Sequence, residues 1–392
     1  MAKQDVTLFF GGDTSLSTPD ENFFKSVDTV LNNSDIRMTQ LENAFMDGVT
    51  DPGLMHRDNK CIAPLIGRFE LVTLSGNHFY DYKEKGVKDT LDWCHRNNIA
   101  CCGGGMNIEE AVKPAFVEKC GVKVGVLAYN VIGPKSSFAG EDKAGTAFVD
   151  FHRAYIPLDE LQEKYPRLEH DTWQMKEPVQ LDKECMGFNY LDDESCMKMA
   201  GEVADAKKQC DVLLVYFHKG YVHRPVTVAP FERVVSHIAI DNGADAVVSS
   251  HSHIMHGIEV YKGKAIYHGL NNFVMCVPML SPNYKGKITT DKDRDDWVKN
   301  RVKRFGFVPD PDYPTYPFHP ESIYTAAAKF VIRDKKIVSN RAILIKVEKD
   351  GVPYVHGNTK TGNEVLDYLK KITEGAGLNA KYEWDGDEIV IS

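Results

Sequence analysis

The 392-residue chain predicts an α/β fold with long loop insertions. Three observations carry this expectation. Short β-branched and aromatic runs alternate with segments of helical spacing, the pattern of strands joined through helices. Hairpin-like pairs and long loops interrupt the alternation. Polar side chains suited to metal binding follow directly on the apolar runs, where open α/β sheets place their ligands.

In chain order, Val6 to Phe10 reads as a buried strand bounded by Gly11-Gly12, with Asp13 next. Asp13 would equally serve as an N-cap for the segment after Pro19. Residues 20–32 have helical spacing (Phe23, Phe24, Val27, Val30, Leu31), and Ile36 to Leu41 is a second strand ending in Glu42-Asn43. Residues 48–64 look like a loop; their His56, Arg57 and Lys60 either meet an anionic substrate group or are simply solvated. Phe69 to Ser75 is a third strand, followed by Gly76-Asn77-His78, with Asp81 three residues on and a helix carrying Val87, Leu91 and Trp93. A short strand precedes Gly103-Gly104-Gly105, which lacks the spacing of a phosphate loop. Residues 116–131 form a hairpin about Lys119-Cys120-Gly121, and periodicity then weakens through an insertion over 134–193 that would cover the cleft.

Helical signal returns over 194–209. The strand Val212 to Phe217 leads to His218-Lys219-Gly220, and His223-Arg224-Pro225 reads as a surface turn or an anion contact. After a helix over 231–242, the run Ala246-Val247-Val248 ends in two serines and His251-Ser252-His253. A hairpin about Lys262-Gly263-Lys264 leads to Asn271-Asn272-Phe273. Residues 278–322 look like a second large loop, whose Tyr284, Tyr313, Tyr316, Phe318 and His319 form a lid or pack internally. Strands over 323–332 and 337–347, a helix near 364–374 and a strand near 387–391 complete the chain. With no repeat, low-complexity tract or clean linker, one main domain over 1–357 is expected, followed by a helix-and-strand extension over 358–392.

A hydrophobic share of 43% and a charged share of 26% are ordinary for a folded chain. The formal net charge of −9 disfavours nucleic acid as a partner. The nine cysteines show neither a disulfide framework nor a CxxC zinc pattern. With no signal peptide, and no apolar run of about 18 residues, a cytoplasmic protein without a membrane segment is expected.

Five strand ends thus deliver Asp13, Glu42, Asn77-His78, His218 and His251-x-His253. Buried carboxylates and imidazoles are costly unless paired or metal-bound. One or two divalent cations would satisfy them together, and this oxygen and nitrogen donor set suits Mn²⁺, Zn²⁺ or Fe²⁺. Two such ions about 3.5–4 Å apart can clamp the attacking and leaving oxygens of a displacement. Glu42 can bridge them, and His78 can supply a proton to the leaving group.

As Gly12-Asp13, Gln40-Leu41-Glu42, Gly76-Asn77-His78 with Asp81, His218-Lys219-Gly220, His251-Ser252-His253 and Asn271-Asn272-Phe273, these signals resemble the CapA family of poly-γ-glutamate capsule biosynthesis, within the calcineurin-like metallophosphoesterase superfamily. The resemblance covers roughly residues 5–275 and continues more weakly to about 357. It implies a four-layer α-β-β-α sandwich of mixed sheets. One metal would take Asp13, Glu42 and His253, and the other Glu42, Asn77, His218 and His251. His78 and Asp81 are the expected catalytic residues, and Arg57, Lys60, His256 and Asn272 the expected substrate contacts. Ser15 stands where the superfamily's first motif has histidine, and Glu42 where it usually has aspartate. The implied activity is metal-dependent hydrolysis of a phosphoester or an amide or peptide-like bond, γ-glutamyl among them, in a small or peptide-like anionic substrate. The alternatives are a metal-assisted isomerase, epimerase or lyase, and an accessory subunit of poly-γ-glutamate synthesis.

Overall fold

The computed structural model describes residues 5–49, 57–157, 159, 163, 185–281 and 290–392. His56, Tyr284 and most of 158–184 lie outside the described residues.

Two large sheets organise the chain. The first runs in the order β19 (Tyr382–Asp385), β20 (Glu388–Ile391), β17 (Lys336–Val347), β16 (Tyr324–Arg333), β1 (Val6–Leu16), β2 (Ile36–Leu41), β3 (Leu71–Thr73) and β4 (Ala100–Cys102). In addition, β15 (Asn272–Cys276) pairs with β1, and β18 (Pro353–Val355) with β17. Its β1–β4 half is parallel and its β16–β20 part antiparallel. The second sheet runs β13 (His256–Tyr261), β14 (Lys264–Gly269), β12 (Ala246–His251), β11 (Val212–Lys219), β7 (Val122–Asn130) and β6 (Ala115–Lys119). Two small ladders, β5 (Gly104–Gly105) with β8 (Gly145–Thr146) and β9 (Phe151–Pro157) with β10 (Cys185–Leu191), flank them.

The period-two alternation of each strand builds the layers. Leu8 and Phe10 of β1 and Met38 of β2 point into a core shared with Val124 and Val126 of β7, Leu214 and Tyr216 of β11 and Val248 of β12. Phe10 stacks on Tyr216 at 5.7 Å between ring centroids. Each such fully buried side chain contributes on the order of 1.5–3 kcal/mol. Phe9 and Val72 point the other way and pack beneath α1 (Asp28–Asn32) and α2 (Lys83–Arg96), through Leu31, Val87 and Trp93. On the far side, Leu213, Val215 and Val247 pack beneath α3 (Ile108–Ala111), α4 (Asp193–Lys207) and α5 (Pro230–Asp241), through Ala111, Val203 and Val235. The result is a four-layer α-β-β-α sandwich of mixed sheets, as expected.

The C-terminal segment is continuous with this body. The helix Lys360–Gly375 buries Val365, Leu366, Leu369 and Ile372 in the inter-sheet core, and β20 extends the first sheet beside β17.

The loop expected over 278–322 contains the helix α6 (Asp291–Phe305), so the Lys360–Gly375 helix is α7. Thr290 and Asp293 close a capping box at the start of α6, and Gly306 ends it in the left-handed conformation. The first strand does not stop at Gly11-Gly12 but continues to Leu16 across a register shift. Within the 134–193 insertion, the described parts of β9 and β10 form a hairpin.

Candidate metal centre

The centre sits where the carboxyl ends of β1, β2, β3, β11 and β12 meet between the sheets. Asp13 comes from the bulged part of β1, where its pairing shifts against both β2 and β15. Bulges re-aim side chains beside functional sites. This one needs Gly12, because a Cβ there would lie 1.9 Å from the Asn271 carbonyl oxygen. The Asp13 N–H donates to that same oxygen at 3.0 Å. Asp13 is buried; its Oδ1 accepts from Ser250 Oγ at 2.5 Å and its Oδ2 from the His251 N–H at 2.9 Å. Burial first, and then the charge of Glu42, push its carboxyl up to about 7.

On β11, alternation puts His218 on the inner face with Leu214 and Tyr216. On β12, the same rule would send His251 outward with Val247. Its φ of 112° breaks the alternation and turns the ring inward, so that Nδ1 lies 3.1 Å from His218 Nε2. His253 is also left-handed, at φ 49°. Non-glycine residues hold such angles only where the surroundings enforce them.

Two donor groups result. One atom each of Asp13, Glu42 and His253 lie within 4.8 Å of one another, all three residues in the interior. Beside them, His218 Nε2 faces Asn77 Oδ1 at 2.8 Å as well as His251 Nδ1. Burial holds the His218 imidazole down at about 3 and that of His251 well below its usual range. Both rings are therefore neutral, the form that ligates metals. Tyr216 Oη hydrogen-bonds His218 Nδ1 at 3.0 Å and fixes the ring's orientation. Burial opposes ionisation of Glu42, but the adjoining His253 holds its carboxyl down at about 2. Burial likewise opposes the charge on His253, which Glu42 outweighs, lifting it to about 9.

These residues fit a divalent cation. Glu42 Oε1 is buried without a hydrogen bond among the described residues, although His253 Nε2 stands 3.0 Å away at ion-pair distance. A carboxylate oxygen left this way inside a protein calls for positive charge. Ser15, at the position of the missing histidine, is buried and donates to Asn43 Oδ1, so it offers no ligand.

His78 lines a cleft of about 380 Å³ that opens on His251 and His253. Its Nδ1 is 2.8 Å from Asp81 Oδ2, which leaves Nε2 available to a substrate. The four expected substrate contacts fall elsewhere. Asn272 is buried with both side-chain ends engaged: Oδ1 faces His253 Nδ1 at 2.8 Å, and Nδ2 donates to Tyr316 Oη at 2.9 Å. His256 is buried against the Arg224 carbonyl at 3.0 Å. Lys60 is exposed on a short 3-10 turn. Arg57 is wholly buried, with Nη2 3.9 Å from Met279 Sδ; burial disfavours its charge and the nearby Glu42 favours it. None of the four lines the cleft.

His223, read from the sequence as a surface turn or an anion contact, is 5% exposed and lines the cleft with Phe318, read as part of a lid or of internal packing, and with Arg301 and Phe305. Sequence reasoning missed Arg301 and Phe305. It also missed Lys219, which alternation turns away from His218 into a buried pair with Glu232 (3.3 Å) and a contact with His268 Nδ1 (3.0 Å). A lysine directly after a strand-end histidine was the available signal.

Fold and centre together define an α-β-β-α sandwich with a buried Asp, Glu and His group that could hold a metal ion. The chain belongs to the family described as Bacterial capsule synthesis protein PGA_cap, which matches residues 6–276. It is similar to the PGA biosynthesis protein CapA of Bacillus subtilis (strain 168), 25% identical over 209 residues, covering 53% of this chain and 42% of that one. It is also similar to a probable polyglutamine synthesis accessory protein of Mycobacterium tuberculosis, 27% identical over 224 residues, covering 56% and 48%. The matched stretches span less than half the length of these relatives. Among solved structures, a hypothetical protein from Thermus thermophilus aligns over 89% of this chain and 98% of its own, with 13% identity and a TM-score of 0.44. No helix of the described residues is long and apolar enough to cross a membrane.

Proposed function

We propose that this chain is a metal-dependent hydrolase acting on a phosphoester or on an amide or peptide-like bond, a γ-glutamyl linkage being one candidate. The observation that carries this reading is the meeting of two donor groups, Asp13 with Glu42 and His253, and Asn77 with His218 and His251, beside an exposed-edge His78. Asp13, Glu42 and His253 would hold one divalent cation, and Asn77, His218 and His251, with Glu42 between, a second. When bound, Mn²⁺, Zn²⁺ or Fe²⁺ supplies Lewis-acid polarisation and lowers the pKa of an attacking water.

The chain's own residues do the rest. Asp81 accepts the His78 Nδ1 proton and so fixes which nitrogen faces the cleft. In its imidazolium form His78 hands the Nε2 proton to the leaving group and returns to the Nδ1-protonated neutral ring, its Nδ1–H still bonded to Asp81. Asn272 fixes the ring of His253, and Tyr216 that of His218. Inter-sheet packing keeps the inner side of the centre dry, which strengthens each of these interactions.

The test is hydrolysis of bis-p-nitrophenyl phosphate and γ-glutamyl-p-nitroanilide by the purified chain with added Mn²⁺. Activity is expected in the parent and loss of it in a His251→Ala/His253→Ala double variant; equal activity in both refutes the reading. The name of the M. tuberculosis relative favours a second reading, an accessory role in polyglutamate synthesis. A purified chain with no affinity for divalent ions would favour that role.

A further inference from the structure

One side of the cleft is the candidate metal centre; the other joins His223 to residues beyond the family match at 6–276. Helix α6 supplies Arg301 and Phe305, and the segment after it supplies Phe318. The Arg301 guanidinium lies over the rings of Trp297, Phe305 and Phe307, at 5.4, 4.7 and 5.7 Å from their centroids, and donates to the Pro317 carbonyl at 3.1 Å. Packing thus fixes a positive charge at the cleft wall, at little entropic cost to a ligand. Phe305, Phe307 and Phe318 surround the His223 ring at 5.1, 4.8 and 5.9 Å, and Phe318 reaches within 5.0 Å of the His253 ring. His223 is held left-handed at φ 59°, and its buried Nδ1 has no hydrogen-bond partner among the described residues. An unsatisfied ring nitrogen inside an aromatic wall needs a polar group brought by something else.

We propose that this wall is a recognition site for a small carboxylic acid with an apolar or aromatic portion. Arg301 takes the carboxylate, Phe305 and Phe318 hold the apolar part, and His223 Nδ1 hydrogen-bonds a polar group between them. The bond next to that polar group then faces His78 and the metal centre. The guanidinium's planar fork suits a carboxylate bidentately, and the rings of Phe305 and Phe318 beside it favour a ligand whose remainder is apolar. The cleft volume of about 380 Å³ lies near the lower end of small-ligand sites, roughly 300–1,000 Å³, and suits one acyl-amino-acid unit or the end of a longer chain. The inference rests on the reading of this cleft as the substrate site and narrows it towards amide-like substrates.

The test uses hippurate, its neutral amide hippuramide, and phenyl phosphate, titrated calorimetrically into the full chain with saturating Mn²⁺. Hippurate is expected to bind about tenfold more tightly than hippuramide. Arg301→Gln should erase that preference and Arg301→Lys restore part of it. Phe305→Ala should weaken both ligands alike, and Mn²⁺ binding should be unchanged in all three variants. Should Arg301→Gln fail to melt cooperatively, Arg301→Lys and Phe305→Ala still decide, through partial loss of the preference and parallel weakening. The proposal is overturned if hippurate shows no saturable binding, if the preference survives Arg301→Gln, or if phenyl phosphate binds more tightly than hippurate. Arg301-dependent hippurate binding by a chain that hydrolyses neither chromogenic substrate refutes the hydrolase reading and leaves the recognition site standing.

Discussion

His253 Nε2 stands 3.0 Å from Glu42 Oε1, a contact that joins the second sheet to the first at the candidate metal centre. Glu42 is held down at about 2, from 4.5, and His253 up at about 9, from 6.5. The glutamate's contribution to stability is present above 4.5 and lost as the pH falls through 2. The histidine's is full below 6.5 and lost as the pH rises through 9. Asp13, raised from 3.8 to about 7, adds a loss over that interval as the pH rises. Below pH 7 the depressed histidines, His218 and His251 among them, act the other way, so in EDTA the melting temperature should fall from pH 7 to pH 9, where His253 alone of these groups titrates. Added Mn²⁺ should flatten or reverse the fall between pH 7 and pH 9, because ligation needs the deprotonated groups. Scanning calorimetry checks this; a melting temperature that rises from pH 7 to pH 9 in EDTA contradicts it.

Asn272 works through His253 and touches no part of the cleft. Asn272→Leu removes the acceptor at His253 Nδ1 and one donor to Tyr316 Oη, which keeps its own bond to the Ser322 carbonyl. Loss of such a partner to a ligand typically lowers metal affinity by about 10–100-fold. Mn²⁺ titration of the variant measures it, and an unchanged affinity would show that His253 is oriented without this contact.

His78 should behave in the opposite way. His78→Ala is expected to keep Mn²⁺ affinity and to lower turnover of the chromogenic substrate by about 10²–10⁴-fold. Asp81→Asn, which keeps a weaker acceptor at 2.8 Å from Nδ1, should lower turnover less. Equal loss of metal affinity and turnover in His78→Ala would instead place His78 among the ligands.

Lys219 and Glu232 form an ion pair with both side chains fully shielded from solvent. Lys219→Met leaves Glu232 charged in the interior and should cost about 3–5 kcal/mol in urea denaturation. Adding Glu232→Gln should recover part of that loss. A change under about 1 kcal/mol in the single variant would show that Glu232 finds another partner.

Gly12→Ala forces a methyl to within 1.9 Å of the Asn271 carbonyl oxygen. The β1 bulge must shift, and Asp13 moves with it. A stability loss of at least about 2–3 kcal/mol is expected, together with weaker Mn²⁺ binding. Denaturation and titration of the same preparation separate the two effects.

Much of this molecule was legible because its strands are short and each ends on a polar residue that packing alone would not choose. Asp13, Glu42, Asn77, His218, His251 and His253 all follow apolar runs, and all converge. Side-chain direction was less legible. Alternation alone sends His251 outward, and only its positive φ brings it to His218. Helix α6 escaped notice because Asp291, Lys292, Asp293, Arg294, Asp295 and Asp296 open it with charge and hide the few aromatic anchors behind. His223 read as surface because Arg224-Pro225 follow it. Its burial comes from Phe305, Phe307 and Phe318, more than 80 residues away in sequence.

Asp13 belongs to one sheet, and the Ser250 and His251 groups that bind it belong to the other, 237 and 238 residues on. Neither sheet carries a full ligand set alone. The centre can form only after the two halves of the chain have found one another, so cation capture would act as a late checkpoint on folding. A chain with its sheets misaligned by even one residue would be unable to take up the ion, and would be inert rather than wrongly active.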